Sequence, residues 1–136
     1  MYHHSQDALM NAYAAMKQYQ TVNVNAQVSE ADPHRLIQML MEGGLQRIVQ
    51  AKGAMQFNNV QLKGELIGKA IGIIGGLREA LDFAKGGEVA ANLDNLYAFM
   101  IQRLSIANLK NDSAILDEVA ALLRDVKEGW DGIRHY

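Results

Sequence analysis

At 136 residues, with 13 basic side chains, 15 acidic ones and a net charge of -2, the chain is sized for one domain. It has no basic block that would neutralise a row of phosphates, which argues against nucleic acid as a partner. There is no cysteine, so disulfides and thiolate chemistry are excluded. The opening stretch, MYHHSQDALMNAYAAMKQYQ, lacks the basic and apolar regions of a signal peptide. No apolar run approaches the roughly 18 residues that a membrane span needs.

Residues 5–19 read as a short helix, with Leu9, Tyr13, Met16 and Tyr19 roughly on one face. The polar stretch QTVNVNAQVSEA, residues 20–31, loses that rhythm and reads as a connector. A first long helix then starts at Asp32, whose carboxylate can cap free backbone N–H groups, with Pro33 suited to the first helical position. Its apolar face runs through Leu36, Ile37, Leu40, Gly44, Ile48, Ala51 and Met55, and Asn58 and Asn59 should stop it.

The second long helix is expected from about Gln61 to Ala84, with Leu62, Leu66, Ile67, Ala70, Ile73, Ile74, Leu77, Leu81 and Ala84 as its stripe. Lys85-Gly86-Gly87 should end it, with Gly86 as the left-handed residue. The third runs from Glu88 to about Lys110 on Val89, Leu93, Leu96, Tyr97, Met100, Leu104 and Ala107. Asp112 caps the fourth, which carries Ile115, Val119, Leu122, Leu123, Val126, Trp130 and Ile133. Four helices of similar length, joined by short breaks, predict an all-α, antiparallel up-down-up-down four-helix bundle over residues 32–136. Residues 1–31 are expected to form a short mobile helical segment and its connector.

One feature resists that reading. Gly64, Gly68, Gly72 and Gly76 recur every fourth residue in the second helix, beside Gly75. Each costs a helix about 1 kcal/mol relative to alanine. Close packing between helices, a shallow groove for a partner segment, and glycines tolerated on a solvated face all remain open as explanations.

Chemistry finds little footing. Neither H-E-x-x-H nor G-x-x-x-x-G-K-[ST] occurs. Inward Glu-x-x-His pairs, which a di-metal bundle needs, are absent. His3, His4 and His135 lie near the chain ends. His34, in the first turn of a helix, is expected to be a solvated or locally bonded surface group. The carboxylates are spread over polar faces. No cofactor, metal or catalytic residue is expected, and the chain is not expected to be an enzyme.

The apolar residues say more. In the first long helix Leu36, Ile37, Met39, Leu40, Met41, Leu45, Ile48 and Val49 span more than a narrow stripe. So wide a face either buries against several neighbours or stays partly open to a partner helix. The N-terminal helix, with Tyr13 and Tyr19 as anchors, could cover such a groove when it is empty.

The stretch DPHRLIQMLMEGGLQRIVQAKGAM resembles the flagellar secretion chaperones, the FliS family. The resemblance continues through KGELIGKAIGIIGGLREALDFAKGGEVAANLDNLY and ANLKNDSAILDEVAALLRDVKEGWDGI, from Tyr13 to Ile133. It implies a cytoplasmic helical bundle that binds the C-terminal segment of flagellin, prevents premature polymerisation and aids delivery to the flagellar type III export apparatus. Where many members have Met-Leu-Tyr-Asp-Gly, this chain has Met39-Leu40-Met41-Glu42-Gly43, which replaces an aromatic hydroxyl by a thioether. Asn111-Asp112-Ser113 stands where Asn-Asp-Pro is frequent.

The partner-binding residues expected on this basis are Leu36, Met39, Leu40, Gly43 and Ile48, with Tyr13 and Tyr19 in a gating segment. A homodimer closed through the wide apolar faces is a further expectation when flagellin is absent. An adaptor bundle for a different amphipathic client is the alternative function.

Overall fold

The caps written into the sequence set the helix starts. In the computed structural model, which describes residues 32–133, the Asp32 side chain accepts from the Arg35 N–H at 2.8 Å and Pro33 opens α1, Pro33–Gln56. Asn58 takes a left-handed conformation and Asn59 caps α2, Val60–Glu79, by accepting from the Leu62 N–H at 3.1 Å. Asp82 caps α3, Phe83–Lys110, through the Lys85 N–H. Asn111 is again left-handed, and Asp112 caps α4, Ser113–Asp131, through the Ala114 N–H. Each of these side chains offers an oxygen to one of the N–H groups that a helix start leaves unpaired.

The α2–α3 junction departs from the expectation. Helix α2 stops at Glu79 rather than Ala84, and the left-handed glycine is Gly87 rather than Gly86. Asp82 is the cause: as a helix cap it satisfies a backbone donor that it would ignore in a helix interior, so a new helix begins there. Gly87 then interrupts α3 with φ 50° and ψ −123°, a conformation that side chains resist. A methyl group at Gly86 would come within 2.8 Å of the Ala90 Cβ. The Gly-Gly pair is therefore needed where it stands, but as a kink inside α3 and not as the end of α2.

Side chains meeting across the bundle fix the topology. Lys52 in α1 pairs with Asp117 in α4, while His34 meets Trp130. Arg78 near the end of α2 pairs with Asp94 early in α3, and Arg103 pairs with Glu118 across α3 and α4. Each pair joins one helix's beginning to its neighbour's end, so neighbours run antiparallel and α1, α2, α3 and α4 pack in a closed square. This is the up-down-up-down bundle expected from the short connectors.

The core is one continuous cluster that includes Met39, Leu40, Ile48, Ile67, Ile74, Met100, Leu104, Leu116 and Leu123, all essentially inaccessible. A methyl group at Gly44 would lie 3.2 Å from Leu123 and 3.5 Å from Ile73, so side chains of α2 and α4 pack closely against α1 there. The glycine run of α2 has a different setting. A methyl group at Gly64, Gly68, Gly72, Gly75 or Gly76 would meet nothing within 4 Å. Close packing inside the bundle is thus not the reason for that run, and nothing in the structure explains it.

Candidate functional site

The antiparallel square gives the bundle two unlike ends. At one end lie the tight α1–α2 and α3–α4 turns. There Lys63, almost fully buried, donates from its ammonium to the Asn108 carbonyl and the Asn111 side-chain oxygen, both at 3.1 Å. A cation among the last carbonyls of α3 is favoured by the helix dipole and occupies acceptors left without helical partners.

At the other end α1 begins, α4 ends, and the chain crosses from α2 to α3. Helix α2 stops early and α3 is kinked at Gly87, so the apolar residues near the junction are not closed over. The result is a groove of about 820 Å³. Ile37 and Met41 line it from α1, and Leu77 and Leu81 from α2 and the connector. Val89, Leu93 and Tyr97 contribute from α3, Val126 and Trp130 from α4, and Ile133 from the residues beyond it. Asp82, Lys85 and Asp125 are the charged side chains at its exposed margin. Val89 is 67% exposed although it sits in the apolar stripe of α3. A second cavity, between α1 and α2 near the other end, mixes Phe57 and Leu62 with Arg47, Glu65 and Lys69 and is far more polar.

One wall of the groove is held by a clasp. The Trp130 indole N–H donates to the His34 carbonyl at 3.0 Å, and the His34 imidazole donates through Nε2 to the Trp130 carbonyl at 2.8 Å. The rings stack with centroids 4.8 Å apart and planes 14° from parallel. His34 is thus half-buried and bonded across the bundle, in place of the surface group expected from its position in the sequence. Beside the clasp, Gln38 donates to Asp131 at 2.7 Å. The Lys127 ammonium, hydrogen-bonded to Asp131 at 2.7 Å, holds that carboxyl below its ordinary value, with Gln38 and His34 adding to the effect and slight burial opposing it. A depressed carboxyl supports the fold above its unfolded pKa and loses that contribution as pH falls through the folded one. The group is exposed, so the contribution is small.

Leu36, Met39, Leu40, Gly43 and Ile48 are all buried in α1. None of them lines the groove; Ile37 and Met41, interleaved with them, do. Tyr13 and Tyr19 lie outside the described residues. Sequence reading placed Leu81 and Ala84 on the α2 stripe; Leu81 instead sits in the connector and lines the groove, while Ala84 is exposed on α3. The early cap at Asp82 was the available signal. Lys63 and the partnership of His34 with Trp130 had no local signal, since each depends on a residue more than 40 positions away.

Among the described residues no group of three or more His, Cys, Asp or Glu side chains is arranged to hold a metal ion. No described helix is long and apolar enough to cross a membrane. An antiparallel bundle with one open apolar groove and charges only at its margin defines a class, the helical binding protein.

Comparison with known sequences places it within that class. The family described as "Flagellar protein FliS" matches residues 15–136. The chain is 65% identical over 126 residues to the flagellar secretion chaperone FliSB of Pseudomonas aeruginosa, covering 93% of this chain and 100% of that protein. It is 45% identical over 119 residues to the flagellar secretion chaperone FliS of Vibrio cholerae, covering 88% of each. With the Salmonella typhimurium FliS it shares 43% over 125 residues, 91% of this chain and 93% of that one. The chain belongs to the FliS family.

Proposed function

We propose that this protein is a cytoplasmic flagellar secretion chaperone that binds the C-terminal segment of flagellin, holds it back from polymerisation and passes it to the type III export apparatus. The observation that carries this reading is the open apolar groove in a chain of this family. An amphipathic helix buries its apolar face best in a groove that is apolar at its base and charged at its rim. Binding is the mechanism, with no chemical step: the groove competes for the surface through which flagellin subunits would otherwise associate.

In this reading Ile37, Met41, Leu81, Val89, Leu93 and Trp130 touch the client. Leu36, Met39, Leu40, Gly43 and Ile48 act from behind, by fixing the helix face that presents Ile37 and Met41. The gating segment, residues 1–31 with Tyr13 and Tyr19, covers the groove in the absence of client. Its support is placement: the chain enters the bundle at Asp32, little more than a turn of helix before Ile37 and two residues before His34, which stacks on Trp130.

Calorimetric titration of the full chain with a synthetic flagellin C-terminal peptide tests the reading. Saturable one-to-one binding with a negative heat-capacity change is expected, because apolar area is buried. Val89→Asp should abolish it without unfolding the bundle, since Val89 is already exposed. A wild-type chain that does not bind the peptide overturns the proposal. Deleting residues 1–19 should leave the bundle's melting temperature unchanged and tighten the affinity; an unaltered affinity removes the gating role.

A further inference from the structure

An apolar groove has a weakness as a recognition site. Burial is non-directional, so an amphipathic helix can slide by a turn and bury nearly the same area. Sites that must hold one register commonly add a single polar group whose partner is available in only one alignment.

The groove contains one such group on its inner wall. Tyr97 is 2% exposed and lines the groove from α3, beside the apolar side chains of Leu93 and Met41. Among the described residues its hydroxyl makes no hydrogen bond, and its oxygen is not sealed from solvent, so it is open to a partner that enters the groove. Burial pushes its phenol up to about 12, so it is neutral at physiological pH and can both donate and accept. The other uncharged wall groups nearby, Ile37, Leu77, Leu81 and Val126, offer no hydrogen bond.

We infer that the Tyr97 hydroxyl sets the register of the bound client, by hydrogen-bonding one uncharged polar side chain on the client helix's otherwise apolar face. The partner is a side-chain amide or hydroxyl of Asn, Gln, Ser or Thr, because the backbone groups of a helix are already paired internally. A charged partner is disfavoured, since the groove base supplies no opposite charge to offset its desolvation. A client helix shifted by one turn would leave both polar groups buried and unpaired, which penalises the wrong register more than the bond favours the right one. The inference rests on the groove being the client site.

The test is Tyr97→Phe in the full chain, titrated with the same flagellin C-terminal peptide as the wild type. The expected result is affinity weakened about 3- to 10-fold, the range of one neutral hydrogen bond. The melting temperature should not fall, because the hydroxyl has no partner within the chain. Peptides in which each uncharged polar residue is replaced in turn by an apolar residue of similar size supply a second readout on the unaltered chaperone. One position alone should weaken binding, and that loss should vanish in the Tyr97→Phe background. If the wild type binds and Tyr97→Phe binds as tightly, or no peptide position couples to it, the register role is overturned while the client reading stands. If the wild type does not bind, the client reading falls and this inference falls with it.

Discussion

The two ends of the bundle are made from similar parts and do opposite things. At the end holding the α1–α2 and α3–α4 turns, two left-handed asparagines and two side-chain caps reverse the chain within a few residues. Lys63 then ties the start of α2 to the last turn of α3. Apolar side chains remain outside there too, Phe57, Val60, Leu62 and Leu109, but the cavity that Phe57 and Leu62 line is far more polar. At the other end the α2–α3 crossing uses a capped break and a kinked glycine, and α1 and α4 meet through the His34–Trp130 clasp. That geometry leaves an apolar hollow open. The difference teaches that packing is uneven along the helix axis: one end is closed by caps and a buried lysine, and the other leaves the hollow that the proposed client would fill.

This contrast can be broken at several points. The largest effect is expected at the core between the ends. Leu40→Ala removes a fully buried side chain and should cost about 2–5 kcal/mol in denaturant unfolding, with client binding lost once the fold is compromised. Lys63→Met comes next. It leaves the Asn108 carbonyl and the Asn111 side chain without their donor and should cost about 1–3 kcal/mol. Its diagnostic feature is that peptide affinity stays unchanged; a weakened affinity would mean that the two ends are coupled.

Trp130→Phe keeps an aromatic ring but loses the N–H that reaches the His34 carbonyl. A loss of about 0.5–1.5 kcal/mol is expected, this time accompanied by weaker client binding, because the clasp is also a groove wall. Equal affinity would separate the clasp from recognition. The smallest effect carries the opposite sign. Gly72→Ala places a methyl group in open space on α2 and should stabilise the chain by about 0.5–1 kcal/mol, read as a raised melting temperature. Destabilisation at Gly72 would show a packing role for the α2 glycines after all.

Much of the fold was legible because its signals are local. Asp32, Pro33 and Asp112 mark helix starts through bonds to N–H groups two or three residues away. The apolar spacing of α1 and α4 locates most of their buried faces from the 3.6-residue period, although in α4 it passed over the buried Leu116 and Ala120 and counted Ile133, which lies beyond the helix and is half exposed. The same logic misplaced the α2–α3 boundary, where Asp82 competed with a continuing apolar stripe and the cap prevailed. For the candidate site the period had less to offer. Ile37 and Met41 alternate with Leu36 and Leu40 on a face too wide to be divided by spacing: Leu36 and Leu40 belong to the core alone, Met41 is a core residue that also forms part of the groove floor, and Ile37 is the more open lining residue.

The sequence by itself determined the helical class, the caps at Asp32 and Asp112, the order and direction of four helices, and the family, because each rests on short-range bonding or on the ordered pattern of residues. Only the tertiary structure decided which apolar residues are core and which are groove. It also decided that His34 reaches Trp130, that Lys63 is buried, and that the α2 glycines face open space. Burial and long-range bonding depend on how far neighbouring helices extend and how they cross; at the groove end, α2 stops at Glu79 and α3 is kinked at Gly87.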